Sequence, residues 1–524
     1  MMNKKVKTLI VVLFSPLVLF AQGKQDSISL YQAIKSINYY TDSISLLSYN
    51  FAKESSYYLN SLMPDKVSRI SLLYDFQKGH YIPSQGATKI NAGTLLTEGT
   101  VKLGTIKLFG SFSYKKTLED STRFSHQTRN NMSTPYYFGS PAYVHYERSV
   151  YTFKAMAGRN FFNDKLNVAF GTDYKVGNHF STNDPRGDIR EYQFDLMGSL
   201  GYSISKQIKI GLAYRNGYGQ EKVNVGYKNP RYYESSVYPM YYNHLINGYG
   251  EGKPVLEANN RVYTDNQSRN GFDVYLDLNS SVAGNFYLSG NYVTEHQRYF
   301  HSTADGFTEF SEYNLNKTNI NLLWLKNLRS GSLGVLLNYY DLAGKDFNIV
   351  FKANNYIYSG NNVSAKIFLN TTNKKTQHSY FLQLNKNFEE RVDGVKANDV
   401  SFDNLLFLAG TGIKKHNSSN SFFGINFTAQ YKMPLSDTFK VLQTNEGYFT
   451  RYVIYHDYLY NTSSYLGGSI TGEYGLPVFK TMQASFKLNA CYMQKLNQKT
   501  LNRTIISEPG KDRFSSNISL NLYF

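Results

Sequence analysis

The sequence predicts an all-β fold: a transmembrane, antiparallel, up-and-down β-barrel of about 18 strands, within a range of roughly 14 to 20. Three observations lead to this prediction. Apolar and polar residues alternate along most of the chain, several alternating segments run for roughly 9 to 12 residues, and the last segment reaches the C-terminal phenylalanine. Long extracellular loops and a short N-terminal leader or helix complete the expected architecture.

Residues 1–21 carry the pattern of a signal peptide. Three lysines precede an apolar run that ends at Phe20, and Ala21 offers a small residue for cleavage. The run is too short and too interrupted to favour a membrane-spanning helix. We therefore expect a cleaved signal peptide, export from the cytoplasm and a mature chain that starts near Gln22.

Residues 22–66 form a leader whose pattern differs from that of the later segments. Asp26 or Ser27 is expected to cap a short helix. Its apolar face would carry Leu30, Ala33, Ile34 and Ile37. A helix in the lumen or against the periplasmic mouth, and a loosely ordered leader tied to the first strand, fit the sequence about equally well. The leader is too short for the globular plug of a TonB-dependent receptor.

Residues 67–524 are predicted to form the barrel. In the segment 208–215, for example, four apolar residues alternate with Lys209, two small residues and Arg215. Soluble strands average about 5–6 residues, whereas a tilted strand needs about 9–11 residues to cross a bilayer. Segment length therefore favours a membrane barrel over a soluble sandwich or propeller. The apolar face would contact lipid, and the polar face would line a wet lumen.

The composition argues against nucleic-acid binding and excludes two kinds of cysteine site. The chain has 56 Lys and Arg against 39 Asp and Glu, which gives a formal net charge of +17. An exported chain does not meet nucleic acid readily, so we assign this charge to anionic lipid headgroups or to a polar lumen. The single cysteine, Cys491, excludes an intramolecular disulfide and a cysteine-rich zinc site.

The C-terminal segment gives the most specific signal. Ile518, Leu520, Leu522 and Phe524 alternate with polar residues up to the last position. This pattern resembles the assembly signal of Gram-negative outer-membrane β-barrel proteins, and it makes these four residues the predicted membrane-insertion signal. The resemblance in pattern covers roughly residues 68–524. The whole chain also resembles an uncharacterised outer-membrane barrel family that carries a domain of unknown function.

The resemblance implies a barrel in the Gram-negative cell outer membrane and no established activity. The partners that it implies are outer-membrane lipids, lipopolysaccharide and the outer-membrane assembly machinery. A lipoprotein or a TonB-dependent receptor is an additional alternative. Nucleic acid is not an expected partner.

Connections of two lengths are predicted between the strands. The short ones read as periplasmic turns and lie at residues 162–165, 203–207, 280–285 and 476–480. The long ones read as extracellular loops and lie at residues 118–143, 229–260, 299–309, 434–446 and 497–511.

No catalytic site is predicted, and the chain is interpreted as a non-enzyme. His456 and Asp457 are the closest histidine–carboxylate pair, but adjacent strand residues point to opposite faces, so they can form a dyad only in a loop. Solvated or hydrogen-bonded loop histidines, rather than catalytic ones, are the favoured interpretation for the five histidines that fall in or near predicted connections. These histidines are His179, His296, His301, His416 and His456.

No cofactor or metal is predicted either. The dipeptide Asp305–Gly306 and the acidic pair Glu389–Glu390 lack the ligand spacing of a calcium loop. Solvated turns explain both.

One predicted outer loop is unusually rich in tyrosine. Its candidate ligand-binding residues are Tyr232, Tyr233, Tyr238, Tyr241 and Tyr242. Such rings could grip a sugar ring or an apolar ligand, because each offers a flat face and a hydroxyl group. The favoured alternative is a loop that packs its own rings over the barrel mouth, or strand ends that reach the interfacial girdle. With Trp324 as the sole tryptophan, tyrosine must supply most of that girdle.

Three functional hypotheses follow. The leading one is a barrel that lets a solute or a partner's segment pass the outer membrane. The second is a closed binding or structural barrel that acts beside a lipoprotein or receptor. The third is an enzyme of the outer rim that processes lipid or peptide.

Overall fold

The computed structural model describes residues 39–40, 42–128, 133–257, 261–303, 306–373, 375–417, 421–479 and 482–524. The predicted signal peptide and the predicted helix face from Leu30 to Ile37 lie outside these residues. In the part of the chain that is described, no helix is both long and apolar enough to cross a membrane.

Long antiparallel strands dominate the described residues. The strands are β1 (Lys66–Gly79), β2 (Lys89–Leu103), β3 (Ile106–Thr122), β4 (Tyr136–Gly139), β5 (Val144–Phe161), β6 (Leu166–Ser181), β7 (Arg186–Ser203), β8 (Ile208–Gly226), β9 (His244–Asn247), β10 (Gly250–Pro254), β11 (Val262–Ser280), β12 (Gly284–Thr303), β13 (Gly306–Leu328), β14 (Gly331–Asn348), β15 (Tyr356–Asn373), β16 (Thr376–Asp393), β17 (Asn398–His416), β18 (Phe422–Lys440), β19 (Tyr465–Phe479), β20 (Met482–Lys495) and β21 (Asp512–Tyr523). The helices are α1 (Ser43–Lys53), α2 (Leu59–Leu62), α3 (Arg231–Glu234) and α4 (Tyr455–Asn461). Short 3₁₀ turns cover Ser56–Tyr58, Pro239–Tyr241 and Gln443–Asn445, and a π-helical turn covers Thr450–Ile454.

An 18-stranded sheet forms a closed barrel. Each of its strands pairs with the next barrel strand along the chain, and β1 pairs with β21 to close the seam. The remaining strands, β4, β9 and β10, form a separate small sheet. The predicted fold class and the predicted strand number are confirmed.

The two faces of the barrel wall differ in polarity, as the alternation predicts. Phe170, Leu212 and Phe272 are each about two-thirds exposed on the outside, at 65%, 64% and 66%. Inward-facing Asp273, which neighbours Phe272 in sequence, is buried. An apolar belt of this size is unstable in water, so hydrocarbon must cover it. On this belt Trp324 stacks on Phe286 with ring centroids 5.7 Å apart.

The two ends of the barrel differ in the length of their connections. Short connections follow β5, β7 and β11 as predicted, at the end where the chain enters β1 and leaves β21. The prediction of a long loop at residues 299–309 is wrong, because β12 and β13 continue through most of it and Arg298 donates to Glu309 across the hairpin over 2.8 Å. The loop predicted at residues 434–446 is displaced to residues 441–464, since β18 continues to Lys440.

The turn predicted at residues 476–480 is also shifted. Strand β19 extends to Phe479 and β20 begins at Met482. The opposite end of the barrel carries the longest connections, which include residues 123–143, 227–261, 441–464 and 496–511. Because outer-membrane barrels have short periplasmic turns and long extracellular loops, we call the two ends inner and outer, respectively.

Candidate functional site, a lumen closed at both ends

A segment of the leader lies inside the inner end of the barrel. We call it the inner plug; it comprises residues 39–40 and 42–63. Asp42 caps helix α1 by accepting a hydrogen bond from the backbone N–H of Ser45 over 2.8 Å. Tyr49, Tyr57 and Tyr58 are almost completely buried. The described part of the leader therefore lies in the lumen, one of the two placements that the sequence allowed.

Hydrogen bonds join the inner plug to strands all around the barrel. Tyr57 donates to Asp277 on β11 over 3.2 Å, and its ring stacks on Tyr275 at 4.2 Å. On another side, Asn370 of β15 and Gln377 of β16 donate to Asp42 over 2.8 and 2.7 Å. A segment that reaches β11, β15 and β16 must cross the lumen, so the inner plug blocks the inner mouth.

The inner plug also contacts the strands on either side of the seam and beyond it. Asn60 donates to Asn167 on β6 over 3.2 Å, and Lys107 on β3 donates to the carbonyl of Met63 over 2.9 Å. The ring of Tyr40 stacks on Tyr523 of β21 at 5.4 Å. Apolar side chains of the plug, among them Leu59 and Met63, also pack against the wall.

The outer end is closed by folded loops. We call this closure the outer cap; it comprises strands β4, β9 and β10, the π-helical turn and helix α4. Tyr136 on β4 donates to Asp346 on β14 over 2.6 Å, and the backbone N–H of Tyr249 donates to Asp393 on β16 over 2.7 Å. On another side of the barrel, Phe138 packs against Tyr263 of β11 at 5.2 Å. The cap therefore spans the outer mouth.

His456 and Asp457 lie in helix α4 and join three outer loops. The carbonyl of Ile82 can only accept, so Nε2 of His456 donates to it over 2.9 Å and Nδ1 accepts from the hydroxyl of Ser507 over 2.9 Å. Asp457 accepts from the backbone N–H of Ser84 over 2.8 Å. The interpretation of His456 as a solvated loop histidine is wrong, whereas the hydrogen-bonded alternative is confirmed.

Burial shifts the titration of this pair in opposite senses. Burial lowers the pKa of His456 and raises the pKa of Asp457, because water no longer solvates either charged form. Both side chains bond to the connection between β1 and β2, and both ring nitrogens of His456 bond to Ile82 and Ser507 rather than to Asp457, so the described contacts do not assemble a histidine–carboxylate dyad.

The other four histidines lie on strands, three of them near a connection as predicted and His296 further inside β12. His179 is on β6, His296 and His301 are on β12, and His416 ends β17. The strands are longer than their clearest alternating stretches, which explains the difference. Sequence reasoning also missed His126, which is buried in the outer loop 123–143 against the hydroxyl of Tyr146.

Between the two closures the lumen wall is polar and partly solvated. Ion pairs line the half that β5–β13 form. They include Lys154–Asp173 at 3.1 Å, Lys175–Glu191 at 2.8 Å, Arg269–Asp195 at 2.8 Å and Lys317–Glu295 at 2.7 Å. The side chains of Asp173 and Asp195 face inward and are 48% and 41% exposed, so this space is open to water. On the opposite half, inward positions carry amides such as Asn362 and Gln383.

The only cysteine of the chain faces this space. Cys491 lies on β20, where its neighbours Ala490 and Tyr492 face outward, and Gln430 of β18 contacts its Sγ over 3.7 Å. It is partly exposed. The thiol of Cys491 therefore lies in the lumen between the inner plug and the outer cap.

The five candidate loop tyrosines separate into two groups. Tyr232 and Tyr241 stack at 3.9 Å with their planes 5° apart, and Tyr238 meets Tyr232 edge-on at 5.5 Å. Tyr233 instead packs on Tyr227, at 5.2 Å, and Tyr242 donates to a backbone carbonyl of its own loop. The structure therefore brings Tyr232, Tyr238 and Tyr241 together, and their role in ligand binding stays a prediction.

The predicted insertion signal forms one edge of the barrel seam. Ile518, Leu520 and Phe524 are exposed on the outside, and Leu522 is partly exposed on the same face. Their side chains fit an apolar belt that contacts lipid. Recognition of these residues by the assembly machinery stays a prediction.

The acidic positions considered at the sequence level do not gather into a metal site. The assignment of Glu389–Glu390 to a solvated turn is wrong, because both residues lie within β16 and Glu389 pairs with Arg391. Asp305 lies outside the described residues. Across the described part of the chain, no group of three or more histidine, cysteine, aspartate or glutamate side chains has a metal-binding arrangement.

Comparisons with solved structures return several barrel proteins. The ferric-catecholate import receptor Fiu from Escherichia coli K12 is 8% identical, with a TM-score of 0.41 over 88% of this chain and 82% of that chain. The siderophore receptor PiuA from Acinetobacter baumannii is also 8% identical, with a TM-score of 0.37 over 87% of this chain and 82% of that chain. These scores are too low to support a conclusion about activity.

Sequence comparison is more decisive. No curated protein matches the chain. A family model described as a family of unknown function, DUF6850, matches residues 56–524, which include all 18 barrel strands and part of the inner plug. The barrel architecture and this match together show that the chain is an outer-membrane-type β-barrel that belongs to the DUF6850 family.

Proposed function

We propose that this chain is a gated passage barrel of the Gram-negative outer membrane, closed at rest by the inner plug and the outer cap. The observation that carries the proposal is the wet, polar lumen that lies between the two closures. Inward side chains such as Asp173 and Asp195 keep substantial exposure there. A solute or a partner's segment would pass through this lumen when both closures move.

The inner plug is the closure that moves first in this proposal. It joins the barrel through one connection, at the start of β1, and its removal leaves the sheet closed because β1 pairs with β2 and β21. Water in the lumen can replace hydrogen bonds such as that between Tyr57 and Asp277. We propose that a partner at the inner end, such as a lipoprotein or a TonB-dependent receptor, releases the plug.

Single-channel recording in planar bilayers tests the proposal. Because the two closures lie in series, the full chain should be silent. Deletion of residues 22–63 combined with Phe138→Ala, which weakens the outer cap, should give discrete conductance steps. Each single change, measured as a control, should conduct less often than the combination.

Heat-modifiable migration on a detergent gel would show that each variant is folded. A combined variant that is folded but silent would contradict a passage function.

A closed binding barrel is the second candidate, and the outer cap favours it. His456, Asp457, Ile82 and Ser507 hold three loops in one arrangement, so the outer end presents a fixed surface. A fixed surface suits the display or capture of a ligand better than rapid passage. Silence of the combined variant, together with unchanged ligand capture by intact cells, would favour this candidate.

A further inference from the structure

A separate cleft opens between two outer loops and belongs to neither closure. It lies between the connection from β6 to β7 and the loop from β8 to β11, and its volume is about 490 Å³. Its lining includes Asp184, Arg186, Lys228, Asn229, Tyr232 and Tyr241. This volume is within the range of about 300–1,000 Å³ that small-molecule sites occupy.

A buried carboxylate fixes the floor of the cleft. Asp184 accepts from the backbone N–H groups of Lys228 and Asn229, each over 2.9 Å, and from Nε of Arg186 over 3.0 Å. These bonds tie the two loops together, so the shape of the cleft exists before a ligand binds. Binding would then lose less conformational entropy than in a loose loop.

Two tyrosines form an aromatic wall. The rings of Tyr232 and Tyr241 are stacked 3.9 Å apart, and both are only partly buried. Because each ring holds the other, the wall is rigid while part of its surface stays open to the cleft. A flat aromatic surface with hydroxyl groups suits the C–H face and the hydroxyls of a sugar ring.

Two exposed cations flank this wall. Arg186 pairs only with Asp184, through Nε, and Lys228 makes no ion pair within the described residues. The side chain of Arg186 is 44% exposed, so its terminal nitrogens are available to a ligand. A carboxylate, phosphate or sulfate would therefore gain charge-assisted hydrogen bonds here.

We propose that this cleft binds an acidic saccharide, with one sugar ring on the wall of Tyr232 and Tyr241 and its anionic group on Arg186 and Lys228. The combination of an open aromatic face and adjacent cations on a preformed floor supports this class over a neutral sugar or a simple anion. Binding at this cleft does not depend on passage through the lumen, so either proposal can fail alone.

Isothermal titration calorimetry on the full chain in detergent tests the proposal. The probes are digalacturonate as the acidic sugar, maltose as the neutral sugar, inorganic phosphate as the simple anion and AMP as a ring that carries phosphate. Digalacturonate should bind more tightly than the other three. Competition by lipopolysaccharide micelles distinguishes the source: displacement indicates a glycolipid headgroup, and no displacement indicates a soluble saccharide.

Matched variants locate the binding to the cleft. Tyr232→Ala should weaken digalacturonate about tenfold, because aromatic contact and ring burial are lost together. Arg186→Gln combined with Lys228→Gln should remove the preference for the acidic over the neutral sugar. Tyr233→Ala, which changes a tyrosine of the same loop outside the cleft, and Lys222→Gln, which changes an exposed lysine on β8, should leave binding unchanged.

Three results would overturn the proposal. They are tighter binding of phosphate or AMP than of digalacturonate, no saccharide binding at millimolar concentration, and an equal loss of binding in Tyr233→Ala and Tyr232→Ala. Heat-modifiable migration of each variant shows that the barrel is folded before its binding is measured.

Discussion

The outer cap buries a core of aromatic and aliphatic side chains drawn from several loops, whereas the inner plug is one segment whose buried tyrosines mostly keep hydrogen-bond partners. The side chains of Phe138, Ile246 and Val453 in the cap have no polar group that could form a hydrogen bond with water. In the plug, the hydroxyls of Tyr57 and Tyr58 bond to the barrel wall. Both closures bury apolar side chains, among them Phe51, Leu59 and Met63 of the plug, but the apolar core under the cap is larger, so the plug should be the easier closure to displace.

The lumen thiol makes this comparison measurable. A membrane-impermeant maleimide reaches Cys491 only past one of the two closures. Outer-membrane vesicles expose the outer mouth alone, whereas protein in nanodiscs exposes both mouths. The difference between the two labelling rates separates opening of the cap from release of the plug.

The largest effect is expected for Phe138→Ala in the outer cap. Phe138 is completely buried against Tyr263, so its truncation should cost the cap about 3–5 kcal/mol. Labelling of Cys491 in vesicles should rise strongly. Phe138→Leu, which keeps most of the volume, should cost less than about 1.5 kcal/mol. An unchanged rate in vesicles would show that Phe138 does not keep the outer mouth closed.

A smaller effect is expected for Tyr57→Ala in the inner plug. The change removes the stack on Tyr275 and the hydrogen bond to Asp277, but water can fill part of the space, so we expect a cost of about 2 kcal/mol. Labelling should rise in nanodiscs and stay low in vesicles. Tyr57→Phe, which keeps the ring, should cost about 1 kcal/mol. A rise in vesicles as well would contradict independent closures.

The cap should also weaken in acid. Burial, with a contribution from Arg148, lowers the pKa of His126 to about 3. The unfolded loop binds a proton below its ordinary pKa of about 6.5, but the folded loop does not, so the stability from His126 is complete above that pH and is lost as the pH falls toward 3. Between these two pKa values, the contribution of His126 to the stability of the folded loop falls by about 1.4 kcal/mol for each pH unit.

Labelling of Cys491 in vesicles between pH 7 and pH 5 checks this expectation, after correction for the reactivity of a free thiol. His126→Gln should flatten the profile. The buried pair His456–Asp457 contributes opposing terms, because the pKa of one is lowered and that of the other is raised. An equally steep profile in His126→Gln would assign the acid response to another group.

The smallest effect is expected at the cap of helix α1. Asp42→Ala removes the side-chain bond to Ser45 and the bonds from Asn370 and Gln377, and the loss of a helix cap typically costs about 1 kcal/mol. Labelling in nanodiscs should rise a few-fold. Asp42→Asn keeps the helix cap and should restore most of the closure; equal effects of both substitutions would show that the charge, not the cap, holds the plug.

The wall of the barrel was predictable because its signal is local. Alternation in segments such as 208–215 fixes which side chains face lipid, and repetition of that pattern gives the strand number. Loop lengths were harder to predict, because near the outer end polar residues occur in paired strands as well as in loops. Arg298 and Glu309, for example, lie on paired strands.

Neither closure could be predicted from alternation. Tyr136 contacts Asp346, and Tyr57 contacts Tyr275, although each pair is more than 200 residues apart in the sequence. No local sequence pattern predicts such contacts. The leader sequence allowed both a luminal and a loosely ordered placement. The richness of the loop in tyrosine is evident from the sequence. Which of its tyrosines line the cleft and which pack elsewhere is not, because the cleft also depends on Asp184, which lies in another connection.

The pairing of β21 with β1 has a consequence for biogenesis. The backbone N–H of Phe524 donates to the carbonyl of Ser68 over 3.1 Å, so the seam joins the first and the last strand of the barrel. A product truncated before β21 would leave one edge of β1 and one edge of β20 with unpaired backbone groups facing hydrocarbon, at a cost of several kcal/mol for each group. Such products should insert poorly into a bilayer, so that closure of the seam makes stable insertion depend on the last barrel strand.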